Sequence, residues 1–550
     1  IEAADARDDG IAALPARREQ GVDIGALSQL VRTNEAEGFV EEQEDPVGMV
    51  KRFAVDDDIG GVGFLGGAGG GFTAHGDGAG VYPVAGFTAG AVTEICEELI
   101  EPAHRTKGWG GAARRGMKNE EGNIFARRKM SSDPEHSGGG KGKGRGFSTE
   151  GGAKEGVKNF FATRTFLSPF GVMIGMLRFS LLGLAAVFTA MGALTVFRSP
   201  DWSSWKLALL AGEFGHWFAV AACALALTAW CLRTNHAMVA GATVALSVLA
   251  AGLFLKPTME AGKIGETLPG ELVAAFGGVA PARAAFSAGN YFSAAPKPVA
   301  VETREFSPGL KLDFYRAVNR KAAPCVIVIH GGGWDSGDRL QLMEFNYWLA
   351  RLGYAVAAID YRLAPKSIWP AQRDDTLATM AYLKAHATEL GVDATRLVLF
   401  GRSAGGQIAS AVAYESDDPA IRGLAAFYAP HDMFFAYTYA REDDILKSPQ
   451  LMRQYLGGTP VAAKANYESA SGHQHVRRGS PPTLLVHGTI DTLVWYRHSV
   501  RLDGKLTAAQ VPHVYVALPW ATHAFEFTLT GPSSQLATYA LEHFLAVVTK

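Results

Sequence analysis

Two short stretches of this sequence carry residue types that could act together in one reaction. The first is LVLFGRSAGGQIAS, Leu397 to Ser410. An apolar run ends in Gly401-Arg402-Ser403-Ala404-Gly405-Gly406, and a helical pattern opens behind it. The corner matches G-x-S-x-G. A sharp strand-to-helix turn strains the backbone, and glycines on either side let neighbouring chain pass without a Cβ clash. The hydroxyl of Ser403 then stands above the sheet, at the positive end of the following helix. Chance produces this five-residue pattern in many chains. Its position behind an apolar strand sets it apart from an ordinary glycine turn.

The second stretch is VIVIHGGGWDSGD, Val326 to Asp338, about 70 residues before the serine. A strand ends at His330, and Gly331, Gly332 and Gly333 follow. Acyl transfer builds negative charge on a carbonyl oxygen, and fixed backbone N–H groups stabilise it. Losing one such donor costs roughly 3–4 kcal/mol. Glycines let these amides approach a substrate closely. An exposed serine behind such a loop, in this order, points to nucleophilic acyl chemistry rather than to two unrelated turns.

With these motifs the sequence resembles the α/β-hydrolase superfamily, and within it the hormone-sensitive-lipase-like esterases and the related feruloyl and acetylxylan esterases. The resemblance runs from about Ser287 to Lys550. It is carried by HGGGWDSGDR, GYAVAAIDYRLAPKSIWPAQRDD, GVDATRLVLFGRSAGGQIA, PPTLLVHGTIDTLV and ATHAFEF. It implies that Ser403 is the nucleophile and that the amides of Gly332, Gly333 and Ala404 form the oxyanion hole. His330 resembles the motif histidine that shapes this loop. No metal and no cofactor are implied.

The partners of the serine follow from local argument. Chain order in this fold is serine, then acid, then histidine. TLLVHGTIDTLV is a strand whose end carries Asp491 in a loop, with His487 read as a structural strand-end residue. VALPWATHAFEF places His523 in a loop after the last apolar strand, whereas His513 lies before that strand, at the wrong end. Serine is a poor nucleophile near neutral pH, so His523 is expected to take its proton and later return it to the leaving group. Asp491 is expected to orient the imidazole and stabilise its charged form. Glu526, three residues beyond His523, is read as a solvated side chain.

The elements that must hold these residues are an α/β array. VETREFSPGLKLDFYRA alternates around Ser307-Pro308-Gly309 as a hairpin. Strands are expected at CVIVIH, AVAAID, LVLF, LAAFYA, TLLVHG and HVYVAL, with helices between several of them, such as RDDTLATMAYLKAHATEL. Strands alternating with helices predict a mostly parallel sheet covered on both faces. FFAYTYAREDDILKSPQLMRQYLGG breaks the alternation and reads as a cap, its aromatics either lining a pocket or packing the cap itself. DYRLAP, Asp374, Asp375 and Cys325 read as structural.

Upstream the composition changes. Three apolar runs, residues 179–197, 207–232 and 237–255, each have the length of a membrane-spanning helix. Trp202, Trp205 and Trp230 lie near run ends, where aromatic belts form. Residues 166–258 are thus expected to be a membrane region with three transmembrane helices, and 259–286 a linker to the domain of residues 287–550. Lys154, Lys158, Arg164 and Arg178 precede the first run, which favours a cytoplasmic N-terminal flank and a hydrolase domain on the non-cytoplasmic side. Glu213 and His216, at i, i+3 spacing, are expected on one helix face near the interface. Residues 1–165 are glycine-rich and low in complexity, as in GGVGFLGGAGGGFTAHGDGAG, and are expected to be disordered. The first residue is Ile1, and Met173 or Met176 is an alternative start.

A net charge of −2 gives no reason to expect nucleic acid, and four scattered cysteines fit neither a zinc site nor a disulfide framework. The expectation is a multi-pass, membrane-anchored serine hydrolase acting on small carboxylic esters. His330-Gly331-Gly332-Gly333-Trp334 also satisfies the H-G-G-x-W pattern of arylformamidases, which keeps an amide hydrolase as the rival reading. A non-catalytic binding module is the rival from another class.

Overall fold

The computed structural model describes residues 169–550, Asn235 excepted. The expectation of disorder in residues 1–165 lies outside the described residues. Eight strands form one sheet in the order β1-β2-β4-β3-β5-β6-β7-β8. They are β1 (Val301–Ser307), β2 (Leu310–Tyr315), β3 (Ala323–Ile329), β4 (Ala355–Ile359), β5 (Val392–Arg402), β6 (Ile421–Phe427), β7 (Thr483–Gly488) and β8 (His513–Leu518). The first two make the expected antiparallel hairpin, and β2 runs antiparallel to β4. From β4 to β8 every pairing is parallel.

All seven residues of β3 are buried, which explains why the central strands read as unbroken apolar runs. Cys325, Ile327 and Ile329 face one core, while Val326 and Val328 face a second one on the other side of the sheet. Twelve helices of seven residues or more lie among the described residues. Four precede the sheet: α1 (Pro169–Ala193), α2 (Trp202–Glu213), α3 (Gly215–Cys231) and α4 (Ala237–Phe276). Among and after the strands come α5 (Met343–Arg351), α6 (Ala371–Ala385), α7 (Ala404–Glu415), α8 (Met433–Tyr439), α9 (Ser448–Leu456), α10 (Lys464–Ala470), α11 (Arg497–Ala508) and α12 (Pro532–Val548).

Two helices among the described residues, Gly171–Ala193 and Ala237–Phe276, are long and apolar enough to cross a membrane, or three if α2 and α3 count as one bent span. The second apolar run is not one straight helix. It turns by 89° between α2 and α3. The cause is packing on both sides of the break. Trp205, Leu209 and Glu213 of α2 are buried. Gly215 sits so close to α4 that a Cβ there would lie 2.3 Å from the Phe254 carbonyl oxygen. Glu213 and His216 therefore do not share a helix face. Glu213 accepts a hydrogen bond from the Ser533 amide, whereas His216 stacks on Tyr291 at 3.9 Å. Trp205 belongs to no exposed aromatic belt, being fully buried.

The expected linker at 259–286 is also corrected. Helix α4 continues through it to Phe276, 40 residues in all. At 1.5 Å per residue that is about 60 Å, roughly twice a hydrocarbon core. Its second half is amphipathic: Ala261, Leu268 and Leu272 are buried in the core that holds Val514, Val516 and Leu545, and Ile264 and Ala275 pack beside them. Prolines and polar residues between these positions gave the stretch its linker-like composition.

Because α4 is shared with the core of the sheet, its truncation should be felt there. Leu268→Ala should cost about 2–5 kcal/mol, as for other buried leucines. Met259→Ala, at an exposed position, should cost little. Thermal unfolding of both variants in detergent checks this.

Candidate active site

Ser403 lies between β5 and α7 with φ +52° and ψ −121°, a conformation that L-residues rarely adopt. The turn is forced by backbone crowding. A Cβ at Gly401 would lie 2.2 Å from the Gly405 oxygen, and one at Gly405 would lie 2.2 Å from the Ile329 oxygen. The serine amide donates to the Phe427 carbonyl at 2.9 Å, which ties the corner to the end of β6.

The expected oxyanion loop follows β3. Gly332 and Gly333 have φ values of +117° and +59°. The Gly331 amide donates to Gln341 Oε1 at 2.9 Å, while among the described residues no acceptor pairs with the amides of Gly332 and Gly333. A Cβ at Gly331 would lie 3.4 Å from the Ser403 Cβ, so the loop passes directly beside the serine. His330 stacks on Tyr361 at 4.1 Å, and its Nδ1 donates to the Gly331 carbonyl at 2.7 Å. Burial pushes its pKa down. A neutral imidazole committed to a backbone carbonyl shapes the loop.

Asp491 and His523 come together across the ends of β7 and β8. His523 Nδ1 donates to Asp491 Oδ2 at 2.7 Å, and both residues are buried. The other carboxylate oxygen accepts from the amides of Leu493 and Val494 at 2.8 and 3.0 Å. Burial alone would raise the Asp491 pKa, but the neighbouring His523 and His487 outweigh it and hold the carboxyl well below its usual range. The Tyr428 ring, one residue beyond the carbonyl that receives the serine amide, lies 4.3 Å from the His523 ring. The serine corner and the histidine loop are thus brought together through the end of β6. Among the described residues no hydrogen bond joins Ser403 Oγ to His523.

Glu526 is not solvated. It is 1% exposed, and its Oε1 accepts from Arg402 Nε at 2.8 Å and from the Tyr428 hydroxyl. Arg402 in turn lies over the rings of Phe400 and Phe345, at 4.5 and 4.7 Å. The pair joins the residue before the serine to the loop of the histidine. A glutamate between two phenylalanines, Phe525 and Phe527, carried a signal for burial in the sequence.

Two further residues lie beside the site. Gln407, on the first turns of α7, accepts from Trp334 Nε1 at 2.8 Å and from the Tyr455 hydroxyl at 2.9 Å, and donates to the Ala470 carbonyl at 2.6 Å. It locks the glycine loop after β3, the serine helix and the cap into one register. His487 Nε2 lies 3.0 Å from the Val494 carbonyl and 3.3 Å from Asp491 Oδ2, both acceptors, so this nitrogen carries the hydrogen. His487 is therefore a second imidazole beside the Asp491 carboxylate.

The cap is α8, α9 and α10. Phe434 and Tyr437 pack on Tyr467 within it, whereas Phe435 stacks on Trp495 of the acid loop at 5.6 Å and Tyr439 meets the same ring at 5.5 Å. Leu451 reaches the oxyanion loop, where a Cβ at Gly333 would lie 2.9 Å from it. Asp375 bonds the Arg362 amide and guanidinium, and Asp360 bonds Arg339. These carboxylates hold the chain around DYRLAP.

The sheet order, the serine corner and the loop positions have the arrangement of an α/β-hydrolase fold. The BD-FAE family model matches residues 312–506. The chain is 30% identical over 236 residues to a probable carboxylic ester hydrolase, LipM, of Mycobacterium tuberculosis, covering 41% of this chain and 54% of that protein. It is 36% identical over 111 residues to carboxylesterase NlhH of the same species, covering 19% of this chain and 33% of that protein. The chain spans little more than half the length of LipM. Among solved structures, a bacterial heroin esterase matches with a TM-score of 0.40 and 23% identity, over 48% of this chain and 87% of that one.

Glu526→Gln should leave the Arg402 charge buried without its partner, a change that typically costs about 3–5 kcal/mol. The expected outcome is a marked fall in melting temperature, larger than for a conservative change at exposed Glu468.

Stability should also fall in mild acid. Burial, then the neighbouring His487 and Arg501, push the His498 pKa down to about 3 from an ordinary 6.5. Burial pushes His431 well below its ordinary value as well. The unfolded chain then binds protons that the folded one refuses. The stabilisation is complete above pH 6.5 and is lost as pH falls towards 3. Each group contributes a slope of about 1.4 kcal/mol per pH unit. The depressed carboxyl of Asp491 adds a loss only below the usual carboxylate range. Unfolding measured from pH 7 to 4 should show this slope, and His498→Asn should flatten it.

Proposed function

We propose that this protein is a membrane-anchored serine hydrolase that cleaves carboxylic esters through an acyl-enzyme. One observation carries the reading: the buried His523–Asp491 pair stands at the same sheet end as the strained serine corner. In this reading His523 takes the Ser403 proton as the hydroxyl oxygen attacks the ester carbonyl. The amides of Gly332, Gly333 and Ala404 receive the negative charge of the tetrahedral intermediate. His523 then gives its proton to the departing alcohol, and water repeats the cycle on the acyl-serine. Asp491, held by two amides and by His487, keeps the Nδ1 hydrogen of His523 in place. The relatives named as ester hydrolases support an ester as substrate.

The membrane part of the proposal is three crossings, by α1, α3 and α4, with α2 lying against the hydrolase domain. Two contacts support an odd number. Arg178, early in α1, donates to the carbonyls of Leu232 and Thr234, between α3 and α4. Ser199, beyond the far end of α1, donates to Thr492 in the acid loop. The basic residues Arg178 and Arg233 then lie away from the hydrolase domain, in keeping with a domain outside the cytoplasm.

The test is a substrate panel on the full chain in detergent, with p-nitrophenyl acetate, butyrate and octanoate beside N-formylkynurenine. Ester turnover that disappears in Ser403→Ala, with labelling by a fluorophosphonate lost in parallel, is the expected result. Only residual turnover from binding and the oxyanion hole should survive, a fall of about a thousandfold or more. Wild-type rates in the variant would overturn the nucleophile, and turnover of the formamide alone would move the reading to an amide hydrolase.

A further inference from the structure

Helix α2 lies outside the hydrolase sheet, yet it touches both loops that carry the acid and the base. Its start is fixed by Asp201, whose carboxylate accepts from the amides of Ser203 and Ser204 at 2.8 and 3.0 Å. Two residues earlier, the Ser199 amide donates to Thr492 Oγ1 at 3.0 Å, and Thr492 adjoins Asp491. The Arg198 guanidinium lies 5.9 Å from the Trp495 ring and 5.8 Å from the Tyr496 ring, in the same loop. Trp205 and Leu209 are buried with Ala524, the neighbour of His523, and pack against Leu493 and Phe527. Leu493 supplies one of the two amides that hold the Asp491 carboxylate. At the end of the helix, Glu213 accepts from the Ser533 amide, and Phe214 meets Phe527 edge-on at 5.8 Å.

We propose that α2 and the α1–α2 loop are a positioning element for the reaction, a brace that sets the distance between Asp491 and His523 from outside the hydrolase domain. This rests on the roles proposed above for those two residues. The physical reason is that both residues stand on loops beyond the last parallel strands, where the ladder no longer holds the backbone. Ala524 is in the left-handed region with φ +62°, which leaves the histidine loop dependent on what covers it. Trp205 and Leu209 share one buried cluster with Ala524, and Leu493 packs against that cluster, so the same apolar contact serves both loops. The membrane region is then part of the catalytic apparatus, and its anchoring and its catalysis are not separable functions.

The experiment uses the full chain in detergent, with Trp205→Ala, Trp205→Phe and Thr492→Val beside wild type. Fluorophosphonate carried to completion counts the intact serine corners, and turnover of p-nitrophenyl butyrate is expressed per counted site. A brace predicts that Trp205→Ala and Thr492→Val lower kcat per site by about tenfold or more while KM stays within about twofold, because substrate binding is untouched. Trp205→Phe, which keeps an aromatic plate, should return to within about threefold of wild type. Fewer countable sites with unchanged kcat per site would show packing alone and overturn the proposal. Where Trp205→Ala gives no folded protein, Thr492→Val decides by the same measure. A wild type that hydrolyses no ester and takes no label overturns the hydrolase reading itself, and the brace falls with it.

Discussion

The structure depends on one close approach of backbone to backbone, at the corner that holds Ser403. The residues on either side of that corner have no room for a Cβ against the start of α7 and the end of β3. Only glycine can stand at 401 and 405, and only a positive φ at 403 completes the turn. The glycine loop leaves β3 next to this corner, and β6 receives the Ser403 amide. The order of strands around β5 therefore sets which loops can meet the serine. Loops after β3, β7 and β8 stand at the same end of the sheet as the serine because parallel strands deliver all their exits to one end.

Around this corner the polar groups form linked supports rather than isolated contacts. Gln407 joins the serine helix to Trp334 and to Tyr455 of the cap. Arg402 and Glu526 join the corner to the histidine loop in a fully buried pair. His487 and two backbone amides hold the acid. Burial makes each of these stringent, since a buried donor or charge left without its partner costs far more than the net worth of the contact. The acid sensitivity expected of the fold has the same source, because burial disfavours the charged form of His431 and His498.

The apolar helices add a feature that a tethered globule would lack. Helix α4 begins among apolar residues and ends inside the hydrolase core, against β8 and α12. Helix α2 turns by 89° from α3 and lies on the acid and base loops. A flexible link between the two parts is replaced by a shared core. A helix whose last turns are buried in a folded domain fixes the tilt of that domain relative to the helix.

Much of this was legible in the sequence. Period-2 and continuous apolar runs marked all eight strands, and G-x-S-x-G behind such a run marked the corner, because short-range sterics act on adjacent residues. Asp491 and His523 were singled out by the same logic, as loop residues after strand ends in a known chain order, and they pair at 2.7 Å. Tertiary structure decided what depends on residues far apart in the chain. Glu526 looked like a solvated carboxylate until Arg402, 124 positions away, met it in a buried pair. Residues 259–276 looked like a linker because their apolar positions have a partner only once α12 and β8 are folded. Trp205 looked like a membrane-belt residue, and only the assembled loops show that it is buried in one cluster with Ala524, against which Leu493 packs. Local pattern reports which element a segment can form. Which buried charge finds a counter-charge, and which apolar face finds a cover, is settled by the packing of distant segments, and no window of sequence contains that information.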